Sequence, residues 1–288
     1  MQQPRVLALK SAVPPYTIEQ PEVAIRAAQL FERARDIDRL LPVFVNTGIE
    51  RRYSCVPIDW YNDPHGWQDR TKLYVDNAVD LLEKVALDLL KQANLKIDDI
   101  DTIVVSSTTG VATPSLDALV VERLNMRRDI QRLPIFGLGC AGGVTGLARA
   151  AAMAKADPGK KVMFLVVELC ALTFRKNDIS KSNIVATALF GDGAAGAILC
   201  TEGEGPRVTA NGEHTWPNSL DIMGWDVEED GLKARFAQSI PTLVANDFRK
   251  LLDGYLAKTG RKVSDFAGFA CHPGGAKVLD ALEDAFEI

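Results

Sequence analysis

The sequence predicts an α/β protein, and three observations support this class. Short apolar segments alternate with segments whose apolar residues recur at helical spacing. This alternation is typical of a sheet that is buried between layers of helices. Several of the apolar segments also lead into glycine-rich turns, as buried strands often do. The predicted strands are 100–106, 133–136, 162–167, 194–199 and 266–271, and the predicted helices are 76–92, 115–124, 144–154, 244–256 and 276–285.

A repeated block is the third observation. A helix and the strand that follows it occupy 76–106 and occur again over 244–272, with Ser106 aligned to His272. A repeat of this length indicates a duplicated unit, so the chain should consist of two similar halves packed together.

The domain boundary follows from that duplication. We expect an N-terminal half over 1–200 and a partial C-terminal half over 201–288, with the glycine-rich stretch 201–206 between them. By the same offset, the C-terminal counterparts of 133–168 would lie beyond the last residue, so the second half is expected to be incomplete and the chain truncated.

Composition restricts the classes of function. The chain has 288 residues, 47% of them hydrophobic and 25% charged, with a net charge of -5 and no basic block. Nucleic acid and anionic membranes are therefore not expected partners, and a small-molecule substrate is favoured. No apolar run reaches the roughly 20 residues of a membrane span.

The cysteines indicate a reducing compartment. Five of them are scattered along the chain, at positions 55, 140, 170, 200 and 271, without the paired spacing of a zinc site. We expect free thiols in a cytoplasmic protein that binds no metal.

Two glycine-rich turns carry the candidate catalytic residues. Cys140 lies in Gly137-Leu-Gly-Cys140-Ala-Gly-Gly143, between a predicted strand and a helix, and His272 follows another predicted strand. A helix N-terminus stabilises a thiolate, and a nearby imidazolium lowers the thiol pKa further. Cys140 and His272 are therefore a candidate nucleophile and its base.

The same turn also fits a dinucleotide-binding fingerprint. Gly137, Gly139 and Gly142 form a G-x-G-x-x-G pattern after a strand, and Glu168 closes the next strand. Such a unit usually opens its domain, whereas two strands precede this one. An NAD(P)-dependent oxidoreductase stays open as an alternative.

Four motifs in order resemble the type III polyketide synthases, the chalcone-synthase-like branch of the thiolase superfamily. They are Gly139-Cys-Ala-Gly-Gly143, Thr173-Phe-Arg175, Ala188-Leu-Phe-Gly-Asp-Gly-Ala194 and His272-Pro-Gly-Gly275. The resemblance implies a five-layered αβαβα fold and a homodimer. It also implies an acyltransferase that extends a CoA-linked starter with malonyl-CoA and needs no cofactor beyond these CoA thioesters.

The resemblance assigns further roles. Catalysis falls to Cys140 and His272, together with an asparagine expected at roughly position 305. Phe190 matches a gatekeeper between a CoA tunnel and the cavity, and Lys277 lies where a CoA phosphate would bind. Cavity-lining positions are Thr108, Thr113, Thr173 and Ala234, where Ala234 replaces a larger gatekeeper and Thr113 replaces a methionine that reaches across the dimer.

Two finer expectations complete the picture. Asn46-Thr-Gly-Ile-Glu-Arg-Arg-Tyr53 and Thr108-Thr-Gly-Val-Ala-Thr-Pro-Ser115 look most like the alkylresorcinol and alkylpyrone synthases, which implies a long fatty acyl starter. Because the expected asparagine lies beyond Ile288, an inactive acyl-binding fragment is the third alternative.

Overall fold

A mixed five-stranded sheet forms the centre of the protein. The computed structural model describes residues 2–32, 37–237 and 240–287. The strands are β1 (Arg5–Ala12), β2 (Tyr16–Glu19), β3 (Arg51–Ser54), β4 (Thr102–Ser107), β5 (Gln131–Phe136), β6 (Val162–Leu169), β7 (Asp192–Cys200), β8 (Met223–Glu228) and β9 (Gly231–Phe236). Their order in the central sheet is β1-β7-β6-β4-β5, while β2 pairs with β3 and β8 pairs with β9 in separate two-stranded sheets.

Helices cover both faces of this sheet. They are α1 (Gln20–Leu30), α2 (Ile37–Leu40), α3 (Pro42–Asn46), α4 (Trp67–Ala93), α5 (Leu116–Arg123), α6 (Gly142–Ala156), α7 (Lys181–Leu189), α8 (Ile240–Leu243), α9 (Arg249–Lys258) and α10 (Ala276–Phe286). Short 3-10 turns cover Ile58–Asn62, Ile97–Asp99, Gly139–Ala141, Cys170–Thr173 and Val263–Asp265, and a π-helical segment, Val244–Phe248, joins α8 to α9.

The apolar pattern of the helices decides which face they bury. The long helix α4 buries Leu82, Val85 and Leu89 completely against one face of the sheet. On the other face, α6 offers small residues, among them Ala150 and Ala154, that pack against the strands. Burial of a leucine or valine side chain contributes roughly 1.5–3 kcal/mol, so these two layers hold the sheet between them.

Strand directions place three strand ends together. β4 runs parallel to both β5 and β6, whereas β7 is antiparallel to β6 and β1. The carboxyl ends of β4, β5 and β6 therefore meet at one edge of the sheet. In α/β proteins this is the usual place for a ligand site.

The structure confirms the repeated block in detail. Asn94 ends α4 in the left-handed region with φ 53°, and Gly260, 166 residues later, follows α9 with φ 69°. The N–H of the next residue then donates to a carbonyl five residues back in both copies, from Leu95 to Leu90 at 2.9 Å and from Arg261 to Leu256 at 3.0 Å.

The agreement continues into the 3-10 turn that follows. The carboxylate of Asp99 accepts the N–H of Lys96 at 2.7 Å, and that of Asp265 accepts the N–H of Lys262 at 2.9 Å. Residues 94–99 and 260–265 thus share one turn conformation, as the duplication predicts.

One predicted strand is wrong. Phe266–Cys271 follows the second copy of the turn, but it has no strand partner among the described residues and forms no β-ladder. An apolar segment becomes a strand only when a neighbouring strand accepts its backbone hydrogen bonds. Three layers, a sheet between two sets of helices, are formed within the described residues, and a second central sheet is not among them.

Two paired elements were not predicted. The hairpin β8–β9 and the ribbon β2–β3 lie outside the central sheet, and both contribute to the site described below. The domain boundary near residue 200 stays a prediction. No helix in the described part of the chain has the length and apolar character that crossing a membrane requires.

Candidate functional site

The carboxyl edge of the parallel strands gathers most of the candidate residues. Thr108 directly follows β4, Cys140 lies in the 3-10 turn after β5, and Glu168 is near the end of β6. The Gly139 N–H donates to Thr108 Oγ1 at 2.9 Å, and the Thr108 N–H donates to Glu168 Oε2 at 3.0 Å. Thr108 therefore links the cysteine turn to the carboxylate.

The turn that carries Cys140 depends on its glycines. Gly137 and Gly139 have φ of 88° and 52°, in the left-handed region that favours glycine. A Cβ on Gly142, at the start of α6, would lie 2.8 Å from Oγ of the buried Ser106. The three glycines that resemble a dinucleotide fingerprint are thus explained by the left-handed backbone at Gly137 and Gly139 and by the close approach of Gly142 to β4.

Cys140 is exposed at the N-terminal end of α6. Although the residue is exposed, enough protein surrounds its sulfur that desolvation raises the thiol pKa. The charge of Glu168 raises that pKa further, and a backbone hydrogen bond lowers it. The lowered thiol pKa expected from the sequence is therefore wrong, because desolvation of the sulfur dominates and the charged neighbour is a carboxylate rather than an imidazolium.

Glu168 has an unusual environment for a carboxyl group. Burial raises its pKa to about 7, although hydrogen bonds from Thr108 and Thr109 oppose the shift. One carboxyl oxygen accepts the Thr108 N–H, and the other is buried without a hydrogen-bond partner. A carboxyl group with this pKa changes charge near neutral pH.

A second turn, Cys170–Thr173, lies beside the first. Burial raises the pKa of Cys170, and Glu168, Asp192 and Cys140 are among the groups that act on it. Thr173 is buried and donates its hydroxyl to the Cys170 carbonyl at 2.7 Å. The Ala171 N–H donates to Asp192 at 2.8 Å, which anchors the turn to β7.

An apolar cavity opens next to this turn. It holds about 600 Å³ of empty space, open solvent included, and lies between α1, the β2–β3 ribbon and α7. Its lining includes Ile18, Val23, Ala27, Cys170, Thr173 and Phe190. Two arginines, Arg26 and Arg52, also line it.

Phe190 and Ala234 belong to one aromatic cluster. The Phe190 ring packs against Trp225 and Phe236, with ring centroids 5.8 and 5.5 Å away. Ala234, which is buried, is directly opposite Trp225 in the β8–β9 ladder. The unpredicted hairpin therefore places the two proposed gatekeeper positions beside the same tryptophan, and of these two positions only Phe190 lines the cavity.

The remaining candidates are exposed. His272 lies in the loop before α10, and its pKa is lowered by desolvation. A Cβ on Gly275 of this loop would lie 3.8 Å from Leu189, so the loop contacts the end of α7. Among the described residues, no hydrogen bond or charge interaction joins His272 to Cys140.

Thr113 and Lys277 lie farther from the cysteine turn. Thr113 is exposed between β4 and α5, and Lys277 is exposed in the first turn of α10. The structure brings neither into contact with Cys140.

Sequence reasoning missed three contributors to the site. Arg52 lies within the motif over 46–53 but was given no role, and Trp225 lies in no motif. The contribution of each depends on the ribbon or the hairpin, which were not predicted. Asp192 was visible in the Phe190-Gly-Asp-Gly motif, where an acid inside an apolar strand could have indicated a buried acceptor.

Comparisons with known proteins agree with this architecture. A family model for the N-terminal domain of chalcone and stilbene synthases matches residues 61–203. A chalcone-synthase-like protein of Bacillus subtilis (strain 168) is 35% identical over 291 residues, which cover 96% of this chain and 80% of the relative. A 1,3,6,8-tetrahydroxynaphthalene synthase of Streptomyces peucetius subsp. caesius is also 35% identical, over 98% of this chain and 77% of its own length.

A solved structure gives the same result. The 1,3,6,8-tetrahydroxynaphthalene synthase of Streptomyces coelicolor A3(2), a bacterial type III polyketide synthase, superimposes with a TM-score of 0.94 at 27% identity, over 99% of this chain and 82% of that one. The fold is therefore that of the thiolase-like condensing enzymes. Within that class, the chain belongs to the chalcone and stilbene synthase family, the type III polyketide synthases. The comparisons give no support to a nicotinamide-dependent oxidoreductase or to an inactive acyl-binding fragment.

Proposed function

We propose that this protein is an iterative condensing enzyme that holds a starter acyl group on Cys140 and extends it with malonyl-CoA. The observation that carries the proposal is the position of Cys140. Its thiol is exposed at the N-terminal end of α6, at the sheet edge, close to a turn that lines an apolar cavity. A nucleophile in this place can accept an acyl group from solvent while the alkyl chain avoids water.

The first step is transfer of the starter. The Cys140 sulfur attacks the thioester carbonyl, a new sulfur–carbon bond forms, and the bond to the CoA sulfur breaks. The thiol proton passes to a base and then to the departing CoA thiolate. Because its pKa is lowered, His272 is neutral near neutral pH and can act as that base when the loop brings it to the thiol.

The second step is chain extension. Loss of carbon dioxide from malonyl-CoA leaves an enolate, whose carbon forms a bond to the acyl carbonyl carbon while the bond from that carbon to the Cys140 sulfur breaks. This releases the Cys140 thiolate and a β-ketoacyl-CoA. Return of the extended acyl group to Cys140, with release of CoA, prepares the next extension. The developing oxygen charge needs hydrogen-bond donors, a role that we assign to His272. Phe190 would present its ring to the malonyl group, and Thr108, Thr173 and Ala234 would shape the growing chain.

The cavity favours an alkyl starter. Its lining is largely apolar, which suits a hydrocarbon chain. We therefore assign a long fatty acyl-CoA or acyl-carrier thioester as starter and an alkylresorcinol or alkylpyrone as product. The identity to the Streptomyces peucetius enzyme favours a second candidate, a fused aromatic product of the type in that enzyme's name.

Further roles follow for exposed residues. We assign Lys277 to contact with a phosphate of CoA, and Thr113 would face the second subunit of a homodimer. The free thiols of the protein suit the reducing conditions of the cytosol, and we place the reaction there.

The test separates the two candidate products. Purified protein is incubated with malonyl-CoA, with and without palmitoyl-CoA, and products are identified by mass spectrometry. We expect alkylated rings only when the acyl starter is present. Aromatic product from malonyl-CoA alone would favour the second candidate, and no product or CoA release in either reaction would contradict the proposed function.

A further inference from the structure

A buried arginine holds the end of the helix that leads into Phe190. Arg52, on β3, is 8% exposed and reaches across to α7. Its Nη1 donates to the carbonyls of Thr187 and Phe190, the latter at 2.9 Å. Its Nη2 donates to the Ala188 carbonyl at 2.8 Å and to the side-chain oxygen of Gln20.

These acceptors are the carbonyls that a helix end leaves free. The last turn of a helix has no internal donors for them and carries partial negative charge. A guanidinium satisfies several such carbonyls at once because its donors form a rigid fork. Arg52 therefore fixes the backbone on both sides of the point where α7 ends and Phe190 begins.

Gln20 supports the arginine from the opposite side. Its amide nitrogen donates to the carbonyls of Ala188, at 3.1 Å, and Phe44, at 3.0 Å, while its oxygen accepts from Arg52. Gln20 is itself buried. The two side chains thus join the end of α7 to α3 and to the start of α1.

Burial of the Arg52 charge costs free energy of folding. Among the described residues, no carboxylate forms an ion pair with Arg52, and its Nε is buried without a hydrogen-bond partner. Burial lowers the pKa of Arg52 to about 10, so the side chain stays charged at neutral pH. A buried charge without a counter-ion is a poor source of stability, which points to a role at the site.

Arg52 also borders the apolar cavity, whose shape depends on the position of the α7 end. Arg52, Thr187 and Phe190 all line the apolar cavity. A shift of the α7 end would move the Phe190 ring away from Trp225 and Phe236 and change the shape of that cavity.

We propose that Arg52 is a positioning residue that sets starter selectivity by fixing Phe190 at the end of the cavity. This inference rests on the proposed function, because selectivity is defined by the acyl chain that the cavity accepts. Arg52 itself touches no reacting atom, so its removal should alter which chain is used more than the chemistry at Cys140.

The first experiment compares Arg52→Met, Arg52→Lys and the control Arg123→Met. Arg123, on α5, is not among the residues that line the cavity, and it pairs with Asp80 and Glu83 on α4. The readouts are the melting temperature and kcat and KM for short and long acyl-CoA starters.

We expect Arg52→Met to lower kcat/KM for the preferred starter about tenfold, mainly through KM, because small displacements near a site can cost up to ~100-fold. Arg52→Lys should restore part of the selectivity, since lysine keeps the charge but not the fork. Arg123→Met should leave the selectivity unchanged. An equal loss for all starters, or the same change in Arg123→Met, would overturn the proposal.

A second experiment tests the coupling to Phe190. If Arg52 acts through the ring, the effects of Arg52→Met and Phe190→Leu on starter selectivity should be clearly non-additive in the double variant. Additive effects would contradict the proposal that Arg52 acts on selectivity through Phe190.

A third readout does not depend on activity. Trp225 packs on Phe190, so Arg52→Met should shift tryptophan emission, and the difference should vanish in a Trp225→Phe background. An unchanged emission would overturn the positioning role even if turnover is observed. Conversely, a shift of emission in a protein without turnover would sustain the positioning role and reject only the proposed function.

Discussion

At the scale of single residues, two opposing effects set the reactivity of Cys140. Desolvation and the charge of Glu168 raise the thiol pKa, and the backbone at the start of α6 lowers it. The thiol is therefore mostly protonated near neutral pH, and acyl transfer needs a base to remove its proton. Glu168 is the charged group that acts on the pKa of this thiol.

Neutralising Glu168 should make Cys140 more acidic. In Glu168→Gln the charge that opposes thiolate formation is gone, so the pH midpoint for alkylation by iodoacetamide should move down. The rate is followed by the mass of the Cys140 peptide, with Cys140→Ser as the blank. A midpoint that stays in place or moves up would contradict the assigned influence of Glu168.

The same substitution should change the pH dependence of stability. The Glu168 pKa is about 7 in the folded protein and about 4.5 in an ordinary environment. Between these values the folded state binds the extra proton, so stability falls as pH rises from about 4.5 to about 7.

Removal of this titration should therefore stabilise the protein at high pH. Glu168→Gln should increase the free energy of unfolding at about pH 8 by ~2 kcal/mol and leave it little changed at about pH 4.5. Urea unfolding at the two pH values measures the difference. Equal changes at both would mean that Glu168 titrates normally in the folded state.

At the scale of elements, the start of α6 is held by its contact with β4. A Cβ on Gly142 would lie 2.8 Å from Ser106 Oγ, whereas a Cβ on Gly143 would meet nothing within 4 Å. Gly142→Ala should therefore destabilise the protein by about 1–3 kcal/mol and slow acylation of Cys140, while Gly143→Ala should be tolerated.

A rescue variant makes this prediction specific. Ser106 Oγ has no hydrogen-bond partner, so its removal leaves no acceptor or donor behind. Ser106→Ala should restore most of the stability and acylation rate of Gly142→Ala. The steric account fails if the double variant is no better than Gly142→Ala alone, as judged by thermal unfolding and acylation rates.

The local pattern of the sequence predicts the repeated elements well. The turn at 94–99 and its copy at 260–265 were visible as an offset because both depend on residues close in sequence. The strand at 266–271 was wrong because strand formation depends on a distant partner. The ribbon β2–β3 and the hairpin β8–β9 were missed for the same reason, since pairing of short segments leaves little periodic signal.

In the candidate site too, features that depend on residues close in sequence were predicted, and contacts between distant segments were not. Cys140, Thr108 and Thr173 lie in turns after strands and were found from local motifs. The contact of Phe190 with Trp225, and the support of its backbone by Arg52, depend on segments far apart in the chain. Composition and spacing cannot indicate such contacts, so a cavity was expected only from the resemblance. Of the four positions expected to line it, only Thr173 lines the cavity that the structure shows.

At the scale of the whole molecule, β5 forms one edge of the central sheet, and no strand in the described part of the chain pairs with its outer side. Apolar side chains lie exposed on β5 and beyond it: Phe136 is 64% exposed, Leu138 36% and Val144 72%. An exposed strand edge with apolar neighbours is a template for pairing with another chain. We propose that a second copy of this chain covers it.

A charge on this surface should break the dimer. We expect wild-type protein to sediment as a dimer and Phe136→Glu to raise the dissociation constant at least ~100-fold, because burying an unpaired charge at an interface is costly. Val227→Glu is the control, since Val227 is 75% exposed on the separate hairpin β8–β9. A monomeric wild type, or equal dimerisation of Phe136→Glu, would contradict the proposed interface.

The proposed condensing function depends on acyl transfer to Cys140, and intact-protein mass spectrometry tests this transfer most directly. The protein is exposed to palmitoyl-CoA without malonyl-CoA, and the modified residue is located by peptide sequencing. We expect a single palmitoyl adduct on Cys140 that is absent from Cys140→Ser. An adduct on another of the five cysteines, or no adduct while the protein remains folded, would contradict it.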